Sequence, residues 1–505
     1  MNFNSEQNKT NNMKQIKVIV LGAGFGGLCT ALRLASKGFD VEIVEQNANA
    51  GGRLNIIEED GFRFDTGPTF FSMSYEFEEM AKDCNIKLPF EYERVDPLYA
   101  VNFANGNNYL LTSDVANLAK QFELLEPEFE QKFKKYIDRG KYIFDSTIQP
   151  IVKTNHSSMI DYIKSMAQTP PELGLMLFRN FWQEVCRYFT NEEVRQIMSL
   201  VAFFLGDTPF KTSSIYTLLS YTEFCHDGYY NVKGGLYKIV EGLVEVLKEQ
   251  GVTFTFNTRI VGLEQENDRV VALVADNGTR YNADLFVINA DAALFRGQVL
   301  KRKAFDENHL SKMRWTFAPL TIYLGLNKKI DTIYHHNYYL GNNFREYAEK
   351  IFTNQVSMER PYYYVNVPSR MNPSCAPEGK EALFFVCPMP DLRYKKDWND
   401  VDQIVNGIIE DFEHKSKTSI KEHICYQKVL TPVDWEKKFN LYKGSGLGLA
   451  HNLGQVGFFR PKNYDEELRN LFYVGASTVP GTGLPMCVIG SKLVTERILE
   501  TYGNI

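Results

Sequence analysis

Residues 17–45 read KVIVLGAGFGGLCTALRLASKGFDVEIVE. Lys17-Val18-Ile19-Val20-Leu21 is a short apolar run with β-branched residues, closed by glycines, as in a buried parallel strand. Leu28, Ala31, Leu32 and Ala35 recur at helical spacing, and Gly38 stands where a helix takes its left-handed stop. Val41-Glu42-Ile43-Val44-Glu45 reads as a second strand, so the stretch is a β-α-β unit. Its first turn carries Gly22, Gly24 and Gly27 in G-x-G-x-x-G spacing. The first permits the turn, the second admits a pyrophosphate to the backbone, and the third lets helix and strand close together. The helix N-terminus beyond offers free N–H groups to an anion. Glu45 follows about twenty residues on, where this unit places the acceptor for a ribose hydroxyl. A carboxylate there suits the adenosine of NAD or FAD and opposes a 2′-phosphate.

Two neighbouring segments extend the pattern. Gly51-Gly52-Arg53-Leu54 combines a second close backbone approach with a cation, which suits a diphosphate. Phe64-Asp65-Thr66-Gly67-Pro68-Thr69 contains a rigid turn able to press backbone against a planar ring. Amphipathic helical patterns dominate further on, over 114–136 and 171–189. Asn277-Gly278 marks a hairpin between strands 270–275 and 280–288. Strands are expected at 320–326, 382–386 and 471–474, and a helix over 488–502. There is no internal repeat.

Composition narrows the function. The chain has 505 residues, 44% apolar and 23% charged, with a formal charge of −6. That is a globular composition, and the mild acidity argues against a nucleic-acid partner. The eight cysteines form no Cys-x-x-Cys pair and no zinc-ligand spacing, so no metal is expected and the thiols read as reduced and cytosolic. Residues 1–15 are polar, lack an apolar signal core and read as a disordered tail. No stretch approaches the length of a membrane-spanning helix. Aromatic residues make up 13%, with 36 Phe and 28 Tyr, enough for a large core or for the walls of a site for a long apolar ligand.

Three segments together resemble the bacterial-type phytoene desaturases, FAD-dependent carotenoid desaturases within the wider amine-oxidase-like flavoproteins. They are 18–69; Gly228-Tyr229-Tyr230 with Gly234-Gly235; and HNLGQVGFFRP (451–461) with NLFYVGASTVPGTGLPM (470–486). The resemblance implies an α/β fold: a Rossmann-like FAD-binding domain with an inserted α+β substrate domain. It places the first in 16–90, 225–300 and 431–505 and the second in 91–224 and 301–430. It also implies residue roles. Gly22, Gly24 and Gly27 would hold the pyrophosphate, Glu45 the ribose, and Gly52, Arg53 and Leu54 the diphosphate and the approach to the flavin. Gly67, Pro68 and Thr69 would lie beside the isoalloxazine, Ile260 would meet the adenine, and Gly475 would close over the ribityl chain. Gly483, Leu484, Pro485 and Met486 would bring a helix N-terminus to the pyrimidine edge, where a reduced flavin carries negative charge.

The implied chemistry removes a hydride and a proton from adjacent carbons, with flavin taking the hydride. An allylic cation is acidic, so a strong protein base is not required. The sequence assigns none; Arg187, His226 and Asp207 are polar residues better suited to structural roles. The dense clusters Phe70-Phe71, Phe181-Trp182, Tyr188-Phe189, Phe203-Phe204-Leu205 and 208–210 are of the kind that lines a polyene tunnel or faces a membrane, though each taken alone more often packs in a core. The resemblance leans toward 1-hydroxycarotenoid 3,4-desaturases, whose terminal hydroxyl needs a polar partner deep in the tunnel, with phytoene as the alternative substrate. It also implies a cytoplasmic enzyme peripheral to the membrane, with oxygen or a quinone as electron acceptor. Two other readings share the architecture: an amine oxidase, which would want a flavin-linking cysteine that the surroundings of Cys487 do not match, and a flavin-free prenyl-lipid carrier akin to Rab GDP-dissociation inhibitors, which the presence of Gly22, Gly24, Gly27, Glu45 and Arg53 opposes.

Overall fold

A computed structural model describes residues 16–353 and 362–502. The expected tail 1–15 lies outside them. Strands Lys17–Leu21 and Asp40–Val44 flank the helix Phe25–Ala35, whose C-terminal turn closes through Gly38 at φ +88°. They form the centre of a five-stranded parallel sheet ordered 471–473, 285–288, 17–21, 40–44, 253–255. Strand Leu285–Ile288 is fully buried, as a central parallel strand covered on both faces should be. The helix Leu484–Tyr502 packs on Phe25–Ala35 from the far end of the chain.

A second sheet has seven strands, ordered 424–430, 318–326, 381–389, 363–366, 336–340, 99–103, 108–111. All pairs are antiparallel except 336–340 with 99–103. Its central strands are buried on both faces, and the two-residue period divides them. Leu320, Ile322 and Leu324 join Val365, Phe385 and Cys387 in a core cluster with helix Val401–Ser416. The alternate residues face the other way, toward the cavity described below.

The expected hairpin forms around Asn277-Gly278, between Arg269–Ala275 and Arg280–Asn282. The single strand expected over 280–288 does not. It breaks at 283–284, and its second half, Leu285–Ile288, joins the five-stranded sheet instead. The helix expected over 114–136 is two, Val115–Phe122 and Phe129–Thr147. Pro127 disfavours the helical conformation for the residue before it, and Glu128 turns left-handed at φ +62°. The pattern over 171–189 likewise divides into Pro171–Met176 and Phe181–Val185, the second restarted by an Asn180–Gln183 capping box. The last helix starts at Leu484, four residues before its expected start.

Candidate functional site

A continuous cavity of about 720 Å³ runs from the glycine turn, along the C-terminal edge of the parallel sheet, to the face of the seven-stranded sheet. Ligands of open α/β sheets bind beyond these strand ends. Every residue expected at a cofactor site lines this cavity except Gly27 and Met486. Gly27 sits behind it: a Cβ there would come 2.2 Å from the carbonyl oxygen of Gly22, so its role is to close helix onto strand. Met486, the third residue of the helix, lies just past the wall formed by Gly483, Leu484 and Pro485.

At one end, Glu45 is buried and accepts hydrogen bonds from Ala23 N (2.8 Å) and from the backbone and side-chain nitrogens of Asn47 (2.8 and 2.9 Å). Its carboxylate is thus fixed at the glycine turn, with Ile260 on the adjoining wall. In the middle, Gly24 and Gly52 approach so closely that a Cβ on Gly52 would stop 3.1 Å from Gly24 Cα. Arg53 donates from Nη1 to the Gly446 carbonyl (2.9 Å) and has no carboxylate partner among the described residues. Desolvation lowers its pKa. A cation facing the cavity, drawn on by Asp291 but not ion-paired with it, beside bare glycine backbone and the N-termini of helices Phe25–Ala35 and Leu484–Tyr502, fits a dinucleotide's diphosphate. Gly67 is required by a neighbouring contact: its Cβ would lie 2.4 Å from the Arg53 carbonyl oxygen, so the two cavity-facing segments meet backbone to backbone.

The other end is aromatic. Its floor is a rank of cross-strand neighbours on the large sheet, Tyr338, Tyr364, Val386 and Thr321. Its roof is Phe70 with Leu200, Phe203 and Phe204. Of the aromatic clusters read in the sequence, only Phe70, Phe203 and Phe204 reach the cavity. Phe71, Phe181, Trp182, Phe189 and Phe210 are buried in the core and face neither tunnel nor membrane. The exposed apolar side chains are different ones. Ile160 and Ile163 lie on helix Met159–Met166, which packs on the segment of exposed Phe459 through a Tyr162–Phe458 contact. Leu175 and Phe178 follow on the next helix and its exit.

None of the three polar residues considered as bases lines the cavity. Arg187 pairs with Glu184, Asp207 is buried against Arg314 (2.7 Å), and His226 stacks on Tyr221. Cys487 does line it, at the glycine turn, with Sγ 3.7 Å from where a Gly26 Cβ would stand. Burial pushes its thiol up to about 11, so it is an inert thiol.

Several residues that shape the site were not read from the sequence. Asn289 donates to the Gly22 carbonyl (3.1 Å) and fills the space beside Gly24 and Gly26. Asp291 caps helix Ala292–Gln298 and accepts from Ser477 (2.5 Å). The buried guanidinium of Arg460, noted only as part of a motif, donates to carbonyls of Leu449, Ala450, Gln455, Ala476 and Thr478, stapling the two C-terminal loops. The available signal was an Asn-Ala-Asp run directly after a buried apolar strand.

A family model described as flavin containing amine oxidoreductase matches residues 25–499. The chain belongs to that family. It is a flavin-dependent oxidoreductase. It is 32% identical to a zeta-carotene-forming phytoene desaturase of Myxococcus xanthus, over 96% of this chain and 94% of that protein. It is 29% identical to a carotenoid 3,4-desaturase of Haloarcula japonica, over 96% and 98%. Among solved structures, an oxidoreductase from Methanosarcina mazei superposes with a TM-score of 0.64 at 16% identity, over 95% and 100% of the two chains.

Proposed function

We propose that this flavoprotein binds FAD and desaturates a carotenoid, acting near a hydroxylated end in the manner of a 1-hydroxycarotenoid 3,4-desaturase. The observation that carries the reading is the single cavity in which a diphosphate cradle opens directly onto an aromatic channel. Glu45, Arg53 and the glycine backbone would hold the dinucleotide; the flavin supplies a hydride acceptor. The chain's own contribution is to hold one C–C bond of a rigid polyene in the aromatic channel and to exclude water there. Tyrosine phenols and Thr321 in that floor give an oxygenated end group partners that a hydrocarbon would leave unused. A second reading, phytoene desaturation, is favoured by the identity to the Myxococcus enzyme. The complete cradle disfavours a flavin-free carrier, and the inert Cys487 gives no support to a cysteine-linked flavin.

We further propose that the enzyme works from the cytoplasmic face of a membrane as a peripheral protein, passing electrons to oxygen or a quinone. No helix of the described residues is long and apolar enough to cross a bilayer. Exposed Ile160, Ile163, Phe178 and Phe459 supply the apolar contacts of a surface-bound protein. The test is product analysis in liposomes with the FAD-loaded protein, given phytoene or a 1-hydroxylated carotenoid. A longer-wavelength product from the hydroxylated substrate alone supports the reading; one from phytoene alone replaces it with the second; none from either overturns both.

A further inference from the structure

Desaturation releases a proton as well as a hydride, and the cavity's aromatic end holds few groups able to take one. Among the described residues there, the ionisable side chains are tyrosines. Tyr363 donates to Asp411 on the far side of the sheet (2.7 Å), and the Tyr362 hydroxyl is buried without a partner. Tyr364 differs. It stands in the floor rank, and its hydroxyl lies 2.5 Å from Nδ1 of His336. Thr69 and Asn366 lie beside the phenol. His336 sits one rank deeper on the same sheet face, directly opposite Asn366 and stacked beneath Phe70 at 4.0 Å.

The imidazole's tautomer follows from its neighbours. Asn366 Nδ2, a donor only, reaches Nδ1 at 3.4 Å, and the Tyr364 hydroxyl reaches the same atom, so Nδ1 is the unprotonated acceptor. Nε2 then carries the hydrogen, and it is buried with no partner. Burial, with His335 beside it, keeps the ring neutral. An imidazole in an apolar core with one nitrogen left unbonded is costly to keep for packing alone.

We propose that Tyr364 is the proton-accepting residue of the desaturation and that His336 positions it and receives its proton. The inference rests on the desaturase reading. The C–H bond beside the carbon that has lost its hydride breaks, and its electron pair becomes the new C=C bond. The proton goes to Tyr364 Oη, and Tyr364's own proton passes to His336 Nδ1. The proton returns by the same route and leaves as the final acceptor, oxygen or a quinone, is reduced. The relay is a weak base, and the strong acidity of an allylic cation makes a weak base sufficient.

Tyr364→Phe is expected to lower turnover about 100-fold, within the usual range for a positioned acid–base group, with KM and flavin absorbance kept. His336→Gln keeps an acceptor for the phenol but no basicity and is expected to lower turnover about 10-fold, again without change in KM. In both, a substrate deuterated at the carbon that loses the proton should show a larger isotope effect than with the wild type. The ligand-free protein gives an independent readout. With 15N-labelled histidine, one buried ring should show the Nε2–H tautomer, and Tyr364→Phe should shift its Nδ1 resonance. Wild-type turnover in either variant, or an Nδ1–H tautomer for His336, overturns the inference. Should Tyr364→Phe lose its flavin, His336→Gln and the tautomer decide. A wild type that desaturates neither polyene overturns the functional reading instead.

Discussion

The two ends of the cavity are built by different means. The cradle end is made of backbone: Gly22, Gly24, Gly52 and Gly67 come within atomic contact of their neighbours because they carry no side chain. The aromatic end is made of side chains brought together by sheet register, such as Tyr338, Tyr364, Val386 and Thr321 from four strands. The first construction tolerates almost no change and takes one kind of ligand. The second can change one residue at a time, so specificity belongs there.

Substitutions should separate the two. Gly27→Val is expected to abolish flavin binding, because its Cβ has no space 2.2 Å from the Gly22 carbonyl; the purified protein would be colourless or insoluble. Arg53→Ala removes a charge-assisted contact and should weaken flavin affinity about 30- to 100-fold, measured by titration of the apoprotein. Phe203→Ala, at the opposite end, should raise the KM for the polyene about 10-fold with flavin content unchanged, through the loss of roughly 1–2 kcal/mol of buried contact. A variant of this last kind that bleached the protein would break the division.

A further prediction concerns the region behind the aromatic wall. Glu223 is buried among Tyr99 and Tyr229, and desolvation pushes its carboxyl up to about 8. The folded state therefore holds this proton more tightly than the unfolded chain. The stabilising effect is complete below the ordinary carboxylate range and is lost as the pH rises through about 8. Glu223→Gln should melt close to the wild type at pH 4 and progressively further above it up to pH 9, read from thermal unfolding. The smallest effect should come from Ile160→Glu with Phe459→Glu, which would reduce sedimentation with liposomes several-fold and leave the flavin spectrum intact.

The same contrast explains what the sequence disclosed. The cradle was legible because its parts are contiguous: a glycine turn, a helix and Glu45 lie within one short stretch, and their spacing carries the geometry. The floor was not, because Tyr338, Tyr364 and Thr321 have no spacing relation; only strand pairing makes them neighbours. The aromatic clusters divided between cavity and core for a related reason. Adjacent residues on a strand or helix face different ways, so Phe70 entered the cavity while Phe71 entered the core. The break at 283–284 was hidden because both halves look like strand, and only their partners differ.

The sheet order has a consequence for biosynthesis. The strand Leu471–Tyr473 and the helix Leu484–Tyr502 complete a sheet whose first strand is Lys17–Leu21. A nascent polypeptide emerging from the ribosome thus holds its opening segment unfinished until the closing one is synthesised. Coenzyme loading is accordingly a late event in maturation, and a stalled or nicked product lacking that closing segment would be a chaperone client rather than a dim enzyme.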